Sequence, residues 1–352
     1  MKIMIMAGGT GGHVFPALAV AQVLQQRGHQ VVWMGAPDSF ESRTVSAQGF
    51  PLREVRISAL RGKGLLRLLS APLLLLRAVW QAGAALRAER PQAVLGMGGF
   101  VAGPGGLAAW ALRVPLLIHE QNAAAGLTNR VLARLARGVL QAFPQTLPRG
   151  VTVGNPVRSS IVALPEPSQR PAHAGPARVL VLGGSQGARA LNERLPEALA
   201  CLPAAQRPEV WHQAGRTLDL AQSAYARAQI PVRLEAFIAD MAAAYGWADL
   251  VVCRAGASTV AELCAAGCAA LLVPFPHAVD DHQTANGQYL VDGGAAQLVQ
   301  ERDLSAELLA QRLRDLLADR ARLARMAQAA RRLAWHDAAE RIADHCLDAG
   351  GR

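Results

Sequence analysis

Two glycine-rich loops, one near the start of the chain and one near its middle, have the residue types that bind phosphate. The first runs Gly8-Gly9-Thr10-Gly11-Gly12-His13, and the second spans residues 183–188 with Ser185 inside it. Each loop follows a short apolar run and precedes a helical pattern, so backbone N–H groups at a helix N-terminus would face an anion. We expect a diphosphate or a similar anion at these loops, and an ordinary tight turn is the alternative.

The first loop does not match the common nucleotide-binding motifs. The pattern G-x-G-x-x-G fails because Val14 occupies its last position, and no Lys follows the glycines as a P-loop requires. The next apolar run, 31–34, ends in Gly35-Ala36 without a carboxylate for a ribose. A nicotinamide-dependent dehydrogenase is therefore disfavoured.

His13 directly follows the first glycine loop. Histidine titrates near neutral pH, so this residue is a candidate general base or a contact for a phosphate or hydroxyl group. The alternative is a helix cap or a packing residue.

Two polar runs in the second half could bind a sugar. Glu262, in Arg254-Ala255-Gly256-Ala257-Ser258-Thr259-Val260-Ala261-Glu262, is expected on a first helical turn, where it could bind two ribose hydroxyls. Thr259-x-x-Glu262 also fits a capping box, which is the structural alternative. The run Asp281-His282-Gln283-Thr284-Ala285-Asn286 has amide groups suited to sugar hydroxyls, and its spacing matches no metal signature.

Three further stretches lie in the first half of the chain. His119-Glu120-Gln121-Asn122 is not a zinc-protease motif, because position 123 is Ala. Residues 98–106 form another glycine-rich loop, which suggests a site for a phosphorylated acceptor or a bare turn. Residues 60–80 are rich in Leu, with interleaved Arg and Trp80, which suits the surface of an anionic membrane. A core helix with snorkelling Arg side chains is the alternative.

A strand, a glycine-rich loop and a helix recur along the chain, and these elements must position the loops. Apolar runs predict strands at residues 3–7, 31–34, 93–97, 116–119, 139–143, 151–153, 178–182, 209–213, 232–236, 250–253, 271–274 and 297–299. Such runs alternating with helices indicate parallel sheets covered on both faces. The fold is thus predicted to be two tandem doubly wound (Rossmann-like) α/β domains, with the proline-rich stretch 163–177 as linker and a helical tail at 306–348.

Charge and cysteine content narrow the function classes. The 352 residues carry a net charge of +10, and residues 1–155 hold 16 Lys+Arg against 5 Asp+Glu. A basic first domain points to an anionic partner. Aromatic residues make up only 5%, which disfavours nucleic acid. Five widely spaced Cys favour a reducing compartment, and neither a signal peptide nor a membrane span is expected.

Taken in order, these motifs resemble the MurG family of N-acetylglucosaminyltransferases, which convert lipid I into lipid II in peptidoglycan synthesis. The resemblance rests on GGTGGH, GGFVAGPGG, HEQN, GNPVR, GGSQGA, the R-x-G-x-x-T-x-x-E run and DHQTxN, and it covers essentially the whole chain. It implies a glycosyltransferase-B architecture whose two domains face a cleft. The domains would span residues 1–160, joined by a C-terminal helix at about 335–352, and residues 161–334.

The resemblance also implies roles for individual residues. His13 would be the catalytic base, and the acceptor would contact Gly98, Gly99, Phe100 and Gly103. UDP-GlcNAc would contact Thr10, Gly11, Gly12, Asn122, Arg158, Ser185, Ile238, Ala257, Ser258, Thr259, Glu262 and Gln283. Of these, the N-terminal domain would supply Thr10, Gly11, Gly12, Asn122 and Arg158. Ala102 stands where many relatives carry Ser, and His282 where some carry Gln.

The implied partners are UDP-GlcNAc, lipid I, an anionic membrane surface and other cell-wall synthesis proteins, without nucleic acid, metal or cofactor. The expected location is the cytoplasmic face of the inner membrane, as a peripheral protein. Three rival hypotheses remain open at this point. They are a glycosyltransferase of the same fold acting on another lipid, a UDP-GlcNAc epimerase, and a non-catalytic membrane-bound scaffold.

Overall fold

The computed structural model describes residues 1–9, 11–57, 65–171 and 173–351, and side chains in 65–71 are outside its description. The predicted donor residue Thr10 and the beginning of the predicted membrane segment 60–80 therefore lie outside the described residues. The chain forms two compact units, Met1–Val157 with Asp337–Arg352, and Arg158–His336.

The first unit is built on a seven-stranded sheet with the order β3-β2-β1-β4-β5-β6-β7. All of its strand pairs are parallel. The elements up to residue 157 are β1 (Lys2–Met6), α1 (Gly11–Gln26), β2 (Gln30–Gly35), α2 (Phe40–Ala47), β3 (Leu52–Glu54), α3 (Leu65–Glu89), β4 (Ala93–Gly96), α4 (Ala102–Ala111), β5 (Leu116–Glu120), α5 (Leu127–Leu132), β6 (Gly138–Gln141) and β7 (Val151–Thr152).

Strand β1 shows why these strands are continuous apolar runs. Ile3 and Ile5 pack into a core on one face of the sheet, while Met4 and Met6 pack into a second core on the other face. All four side chains are fully buried. Because helices cover both faces, no position in such a strand needs a polar side chain.

Helix α1 begins earlier than the sequence predicts. Proline is favoured at the first helical position, so Pro16 by itself indicates a later start. The helix instead starts at Gly11, and Pro16 lies inside it. Pro16 has no N–H to donate to the carbonyl of Gly12, so the first turn lacks one helical hydrogen bond. Gly28 terminates the helix, as glycine commonly does: it has φ +78°, and its N–H donates to the Gln25 carbonyl.

The second unit is built on a six-stranded parallel sheet with the order β10-β9-β8-β11-β12-β13. The remaining elements are α6 (Ser159–Val162), β8 (Arg178–Leu182), α7 (Arg189–Ala200), β9 (Glu209–Gln213), α8 (Leu218–Ala228), β10 (Arg233–Glu235), α9 (Met241–Trp247), β11 (Leu250–Cys253), α10 (Ala257–Ala266), β12 (Ala270–Leu272), α11 (His282–Asp292), β13 (Ala296–Leu298), α12 (Ala306–Leu317), α13 (Arg320–Arg332) and α14 (Ala338–Gly350). Of these, α14 belongs to the first unit.

The proline-rich stretch 163–177 is not a free linker, contrary to the sequence prediction. Glu166 pairs with Arg331 of α13 at 2.9 Å, and Arg170 donates to the Gly267 carbonyl at the end of α10 at 3.2 Å. These contacts attach the stretch to the second unit, and the boundary between the units lies at Val157 and Arg158.

The predicted helical tail is three separate helices. The side chains of Ser305 and Asp319 cap the N-termini of α12 and α13. Helix α14 buries Ile342, Ala343 and Cys346 in the same core as Ile3 of β1. Among the described residues, no helix combines the length and the apolar character that crossing a bilayer requires.

Candidate functional site

The glycine loops of the first unit meet where its strand order reverses. Open parallel sheets bind ligands at the carboxyl ends of the strands that flank such a reversal, here β1 and β4. The loop after β1 holds Gly8 and Gly9, and the loop after β4 holds Gly98 and Gly99. Gly99 has φ +83°, and a Cβ there would collide with the carbonyl of Gly8. The two loops predicted separately therefore form one surface of backbone groups.

His13 lies beside this surface on the first turn of α1. Its Nδ1 is 3.2 Å from Oε1 of Gln121, which follows β5. A Cβ at Gly98 would lie 2.7 Å from the same nitrogen, so Gly98 leaves the space that the imidazole occupies. The structure thus brings together the predicted base, the predicted acceptor loop and the HEQN motif.

The other HEQN residues shape the turn after β5. Glu120 is 3% exposed and accepts from the backbone N–H of Asn122 (3.0 Å) and Gly126 (3.2 Å) and from the side chain of Asn129 (2.9 Å). Asn122, a predicted donor contact, is therefore held by Glu120.

His119 is fully buried, and its Nε2 donates to the Gly154 carbonyl at 2.9 Å. Burial lowers the pKa of His119 from 6.5 to about 4. This histidine is consequently neutral at physiological pH.

Glu41 of α2 is a site residue that the sequence analysis missed. It is 3% exposed, and its oxygens accept from the N–H of Gly9 at 3.1 Å and of Ala36 at 3.3 Å. A carboxylate therefore ties the first glycine loop to the end of β2. No local sequence pattern marks this role, because both partners of Glu41 are backbone N–H groups. Gly9 is distant in sequence, and Ala36 lies outside α2.

The remaining predicted residues of the first unit lie at the same edge of the sheet. Gly11 and Gly12 are the first two residues of α1, and Phe100 is 52% exposed in the loop before α4. Gly103 lies on the first turn of α4.

The second unit repeats this arrangement at its own strand reversal, between β8 and β11. Helices α7 and α10 follow these strands, and neither has a side-chain cap on its N-terminus. Their first N–H groups are therefore not satisfied by a capping side chain, which is the arrangement that favours an anionic ligand. Ser185 is exposed in the loop before α7, as a phosphate contact requires.

A buried polar chain holds the loop before α7. A Cβ at Gly215 would collide with Gly184 and Gly187, so the loop packs directly on the turn at Gly215. Asn192 donates to the Ala214 carbonyl of that turn at 3.1 Å, and its Oδ1 accepts from Nε2 of His212 at 3.0 Å. Burial lowers the pKa of His212 to about 3, so the histidine in this series of hydrogen bonds is neutral.

Glu262 lies on the second turn of α10 rather than the first. The helix begins at Ala257 with Gly256 as N-cap, so Thr259 is inside the helix and the alternative capping box is wrong. Glu262 instead accepts from Arg158 at 3.0 Å and from the hydroxyl of Tyr245 at 2.9 Å. Tyr245 is a further residue that sequence reasoning missed.

The position of Arg158 differs from the expectation. The resemblance placed it in the N-terminal domain, whereas the structure places it in the second unit, where it precedes α6 and pairs with Glu262. Since α6 packs against α9 and α10, Arg158 is held close to Glu262.

The other predicted donor residues of the second unit surround the start of α10. Ala257, Ser258 and Thr259 form its first turn, and the buried Oγ of Ser258 has no hydrogen-bond partner in the described structure. Oε1 of Gln283 accepts from the N–H of Ala255 at 3.2 Å and of Phe275 at 2.9 Å. The Gln283 amide is thereby oriented with its NH₂ group left to donate.

Ile238 is 1% exposed after β10, so only its backbone can meet a ligand. Within the described ranges, no group of three or more His, Cys, Asp or Glu side chains is arranged to hold a metal ion.

Comparison with known proteins agrees with the two-unit architecture. Residues 3–141 match the glycosyltransferase family 28 N-terminal domain, and residues 178–342 match its C-terminal domain. A curated relative from Alkalilimnicola ehrlichii is 58% identical over 99% of both chains, and one from Marinobacter nauticus is 57% identical over 99% of this chain and 97% of its own. Both are named UDP-N-acetylglucosamine–N-acetylmuramyl-(pentapeptide) pyrophosphoryl-undecaprenol N-acetylglucosamine transferase.

A solved structure has the same two-domain fold. The crystal structure of MurG from Acinetobacter baumannii superimposes with a TM-score of 0.88 at 44% identity, covering 99% of each chain. The predicted fold class, two doubly wound α/β domains of the glycosyltransferase-B type, is confirmed. On the sequence matches to both domains and the full-length relatives, the chain belongs to glycosyltransferase family 28.

Proposed function

We propose that this protein transfers N-acetylglucosamine from UDP-GlcNAc to the C4 hydroxyl of the muramoyl sugar of lipid I, forming lipid II in peptidoglycan synthesis. The observation that carries the proposal is the identity of 57–58%, over 99% of the chain, with relatives named for this activity. The two glycine-loop surfaces support it, since donor and acceptor each contain a diphosphate.

The second unit would bind the donor. The N-termini of α7 and α10 would stabilise the diphosphate, and Glu262 would bind the ribose hydroxyls. In the described structure Arg158 and Tyr245 occupy both oxygens of Glu262. We therefore expect Arg158 to exchange Glu262 for the ligand when the donor binds.

The first unit would bind the pyrophosphate of lipid I and supply the base. His13 takes the proton of the acceptor C4 hydroxyl while the oxygen of that hydroxyl forms a bond to the anomeric carbon of the donor sugar. The bond from that carbon to the diphosphate oxygen breaks, and UDP leaves with the electron pair. The displacement inverts the anomeric configuration, and stabilising charge on the leaving diphosphate lowers the barrier.

UDP release from UDP-GlcNAc, measured with and without a short-chain lipid I analogue, tests the activity. Release only with the analogue is the expected result. Release without an acceptor would instead indicate an epimerase or hydrolase, and bound donor without release would indicate a different lipid acceptor. The variant His13→Ala should lower turnover by roughly 10²–10⁴-fold, and a loss below tenfold would exclude the base role.

We also propose that α3 attaches the protein to the cytoplasmic face of the inner membrane. Its exposed apolar surface, the α3 patch, consists of Leu73, Leu74, Leu75, Leu76 and Trp80. Leu73, Leu76 and Trp80 are 72%, 67% and 70% exposed. Arg77 is exposed beside them, and an apolar surface with a cation fits the interface of an anionic bilayer.

Sedimentation with vesicles tests the α3 patch. The wild-type protein should bind vesicles containing anionic lipid more tightly than neutral ones, because Arg77 and the basic first unit contribute. The double variant Leu76→Ser, Trp80→Ser should weaken binding by about tenfold or more, since each apolar side chain contributes about 1.5–3 kcal/mol when buried. Val151→Ser, at an exposed valine of β7, is the matched control. Equal binding by all three proteins would refute the assignment.

A further inference from the structure

Gln121 lies at the centre of the first unit's site and has two side-chain hydrogen bonds. It follows β5 directly and is 1% exposed. Its Nε2 donates to the carbonyl of Met97 at 2.8 Å, and its Oε1 faces Nδ1 of His13 at 3.2 Å. The side chain thus connects the end of β4 with the start of α1.

These two bonds have only one consistent direction. A carbonyl oxygen accepts and cannot donate, so the Met97 carbonyl fixes the NH₂ group of Gln121 on its own side. The opposite atom of the amide, facing His13, must then be the oxygen. An amide oxygen also only accepts, so Nδ1 of His13 must carry a proton. In a neutral imidazole the lone pair is consequently on Nε2.

We propose that Gln121 is a positioning residue that holds His13 as the Nδ1–H tautomer, so that Nε2 is the atom that accepts the proton of the acceptor hydroxyl. The catalytic part of this inference rests on the proposed function, because it requires His13 to be the base. The tautomer itself is a property of the protein without substrate.

Three neighbouring features support this pairing of Gln121 with His13. The Gln121 carbonyl accepts from Nδ2 of the buried Asn155 at 2.9 Å, which fixes the backbone at that point. Gly98 leaves the space for the His13 ring. His119, which interacts electrostatically with His13, is kept neutral by burial, so it adds no positive charge beside the base.

The first test needs no catalytic turnover. Long-range ¹⁵N–¹H correlation NMR distinguishes the two nitrogens of each neutral histidine and shows which is protonated. At pH 8 the spectrum of the wild-type protein should show His13 as the Nδ1–H tautomer. The variant His13→Gln identifies the signals, since they disappear from its spectrum. An Nε2–H tautomer or an even mixture at His13 would overturn the proposal, whatever the variants do.

The second test removes the acceptor atom. In Gln121→Met the side chain has nearly the same length, but its thioether is a much weaker hydrogen-bond acceptor for Nδ1–H of His13 than an amide oxygen. The NMR signals of His13 should therefore move toward the Nε2–H tautomer. Turnover should fall by about tenfold or more, with the KM for UDP-GlcNAc changed by less than about twofold.

Gln141→Met is the matched control. Gln141 is 2% exposed on the neighbouring strand β6, and its bonds go to Leu147 and Thr152. It should leave the His13 tautomer and the KM unchanged, whatever it costs in stability. Equal loss of turnover in both variants, with an unchanged His13 spectrum, would reduce Gln121 to a structural residue.

The measurements separate this proposal from the proposed function. If Gln121→Met moves the tautomer while His13→Ala keeps its turnover, the tautomer assignment stands and the base role of His13 fails. If His13→Ala is inactive and the tautomer is Nε2–H in the wild-type protein, the base role stands and the role of Gln121 fails.

Discussion

At the scale of single residues, the first glycine loop depends on a carboxylate that no sequence pattern revealed. Glu41 is buried, and its two oxygens accept from the N–H groups of Gly9 and Ala36. The glycines, His13 and the HEQN run could be recognised because their residue types and order are distinctive. Glu41 could not, because its partners are backbone atoms brought to it by the fold.

Glu41→Ala should therefore lower the free energy of unfolding of the first unit by about 2–4 kcal/mol. The substitution leaves two partly buried N–H groups without an acceptor. A fully buried group would cost about 1–3 kcal/mol, so we expect the lower part of the summed range. Urea denaturation monitored by Trp33, which is fully buried in this unit, measures the change. Glu54→Ala, at an exposed position on the edge strand β3, is the control and should cost little. Equal effects of the two substitutions would contradict the role of Glu41.

Tyr245 is the corresponding residue of the second unit. Its buried hydroxyl donates to Glu262 at 2.9 Å, on the oxygen that Arg158 does not bind. Tyr245→Phe should raise the KM for UDP-GlcNAc by about threefold to tenfold, because Glu262 loses one of the groups that orient it, while turnover changes little. Steady-state kinetics with varied donor measures this. Tyr289→Phe, on α11, should leave the KM as it is; a shift there of the same size would point to a general loosening of the unit.

At the scale of elements, the strands were predictable and the helix starts were not. Three predicted strands, 178–182, 209–213 and 250–253, coincide with β8, β9 and β11. A strand buried on both faces is marked by its own apolar residues. The start of a helix depends on tertiary packing as well, so Pro16 and Thr259 both indicated starts that the structure places elsewhere. The short edge strand β3 was missed because two of its three residues are exposed.

Two helical glycines of the first unit should respond to alanine in opposite directions. A Cβ at Gly105 of α4 would collide with Sδ of Met6, whereas at Gly83 of α3 the nearest atom is 3.5 Å away. Gly105→Ala should destabilise by about 1–3 kcal/mol, as overpacking does. Gly83→Ala should stabilise by about 0.5–1 kcal/mol, because alanine loses less entropy in a helix. The midpoints of urea denaturation measure both changes. Stabilisation by both substitutions would show that the Met6 side chain moves to accommodate the new methyl group.

At the scale of the whole molecule, the charge remains concentrated in one unit after folding. The first unit, including α14, carries 18 Lys+Arg against 9 Asp+Glu, while the second carries 18 against 17. The unit proposed to bind lipid pyrophosphate and the membrane is thus the basic one. This part of the functional prediction could be made from composition, because the net charge of a domain changes little when its predicted boundaries are wrong by a few residues.

Each unit also contains one buried neutral histidine, which predicts sensitivity to acid. The pKa is about 4 for His119 and about 3 for His212, against 6.5 in an unfolded chain. As the pH falls below 6.5 the unfolded chain binds the proton first, so each unit loses stability at about 1.4 kcal/mol per pH unit. The loss continues to about pH 4 in the first unit and to about pH 3 in the second.

Between pH 6.5 and pH 5 each unit should therefore lose about 2 kcal/mol from its histidine. Urea titrations with Trp33 and Trp211 as probes for the two units measure this. In His212→Gln the acid loss of the second unit should shrink by that amount, while the first unit behaves as before. An unchanged loss in the variant would mean that His212 does not carry it.

The return of α14 to the first unit has a consequence for biosynthesis. Its buried face, including Ile342 and Cys346, completes the core that contains Ile3 and Ile5 of β1. A ribosome adding roughly 5–20 residues per second must make the whole second unit before α14 emerges, a delay of roughly 10–35 s after residue 157. The domain that begins synthesis first is consequently the last to finish its core. While it waits, an apolar face of its nascent sheet is open to chaperones.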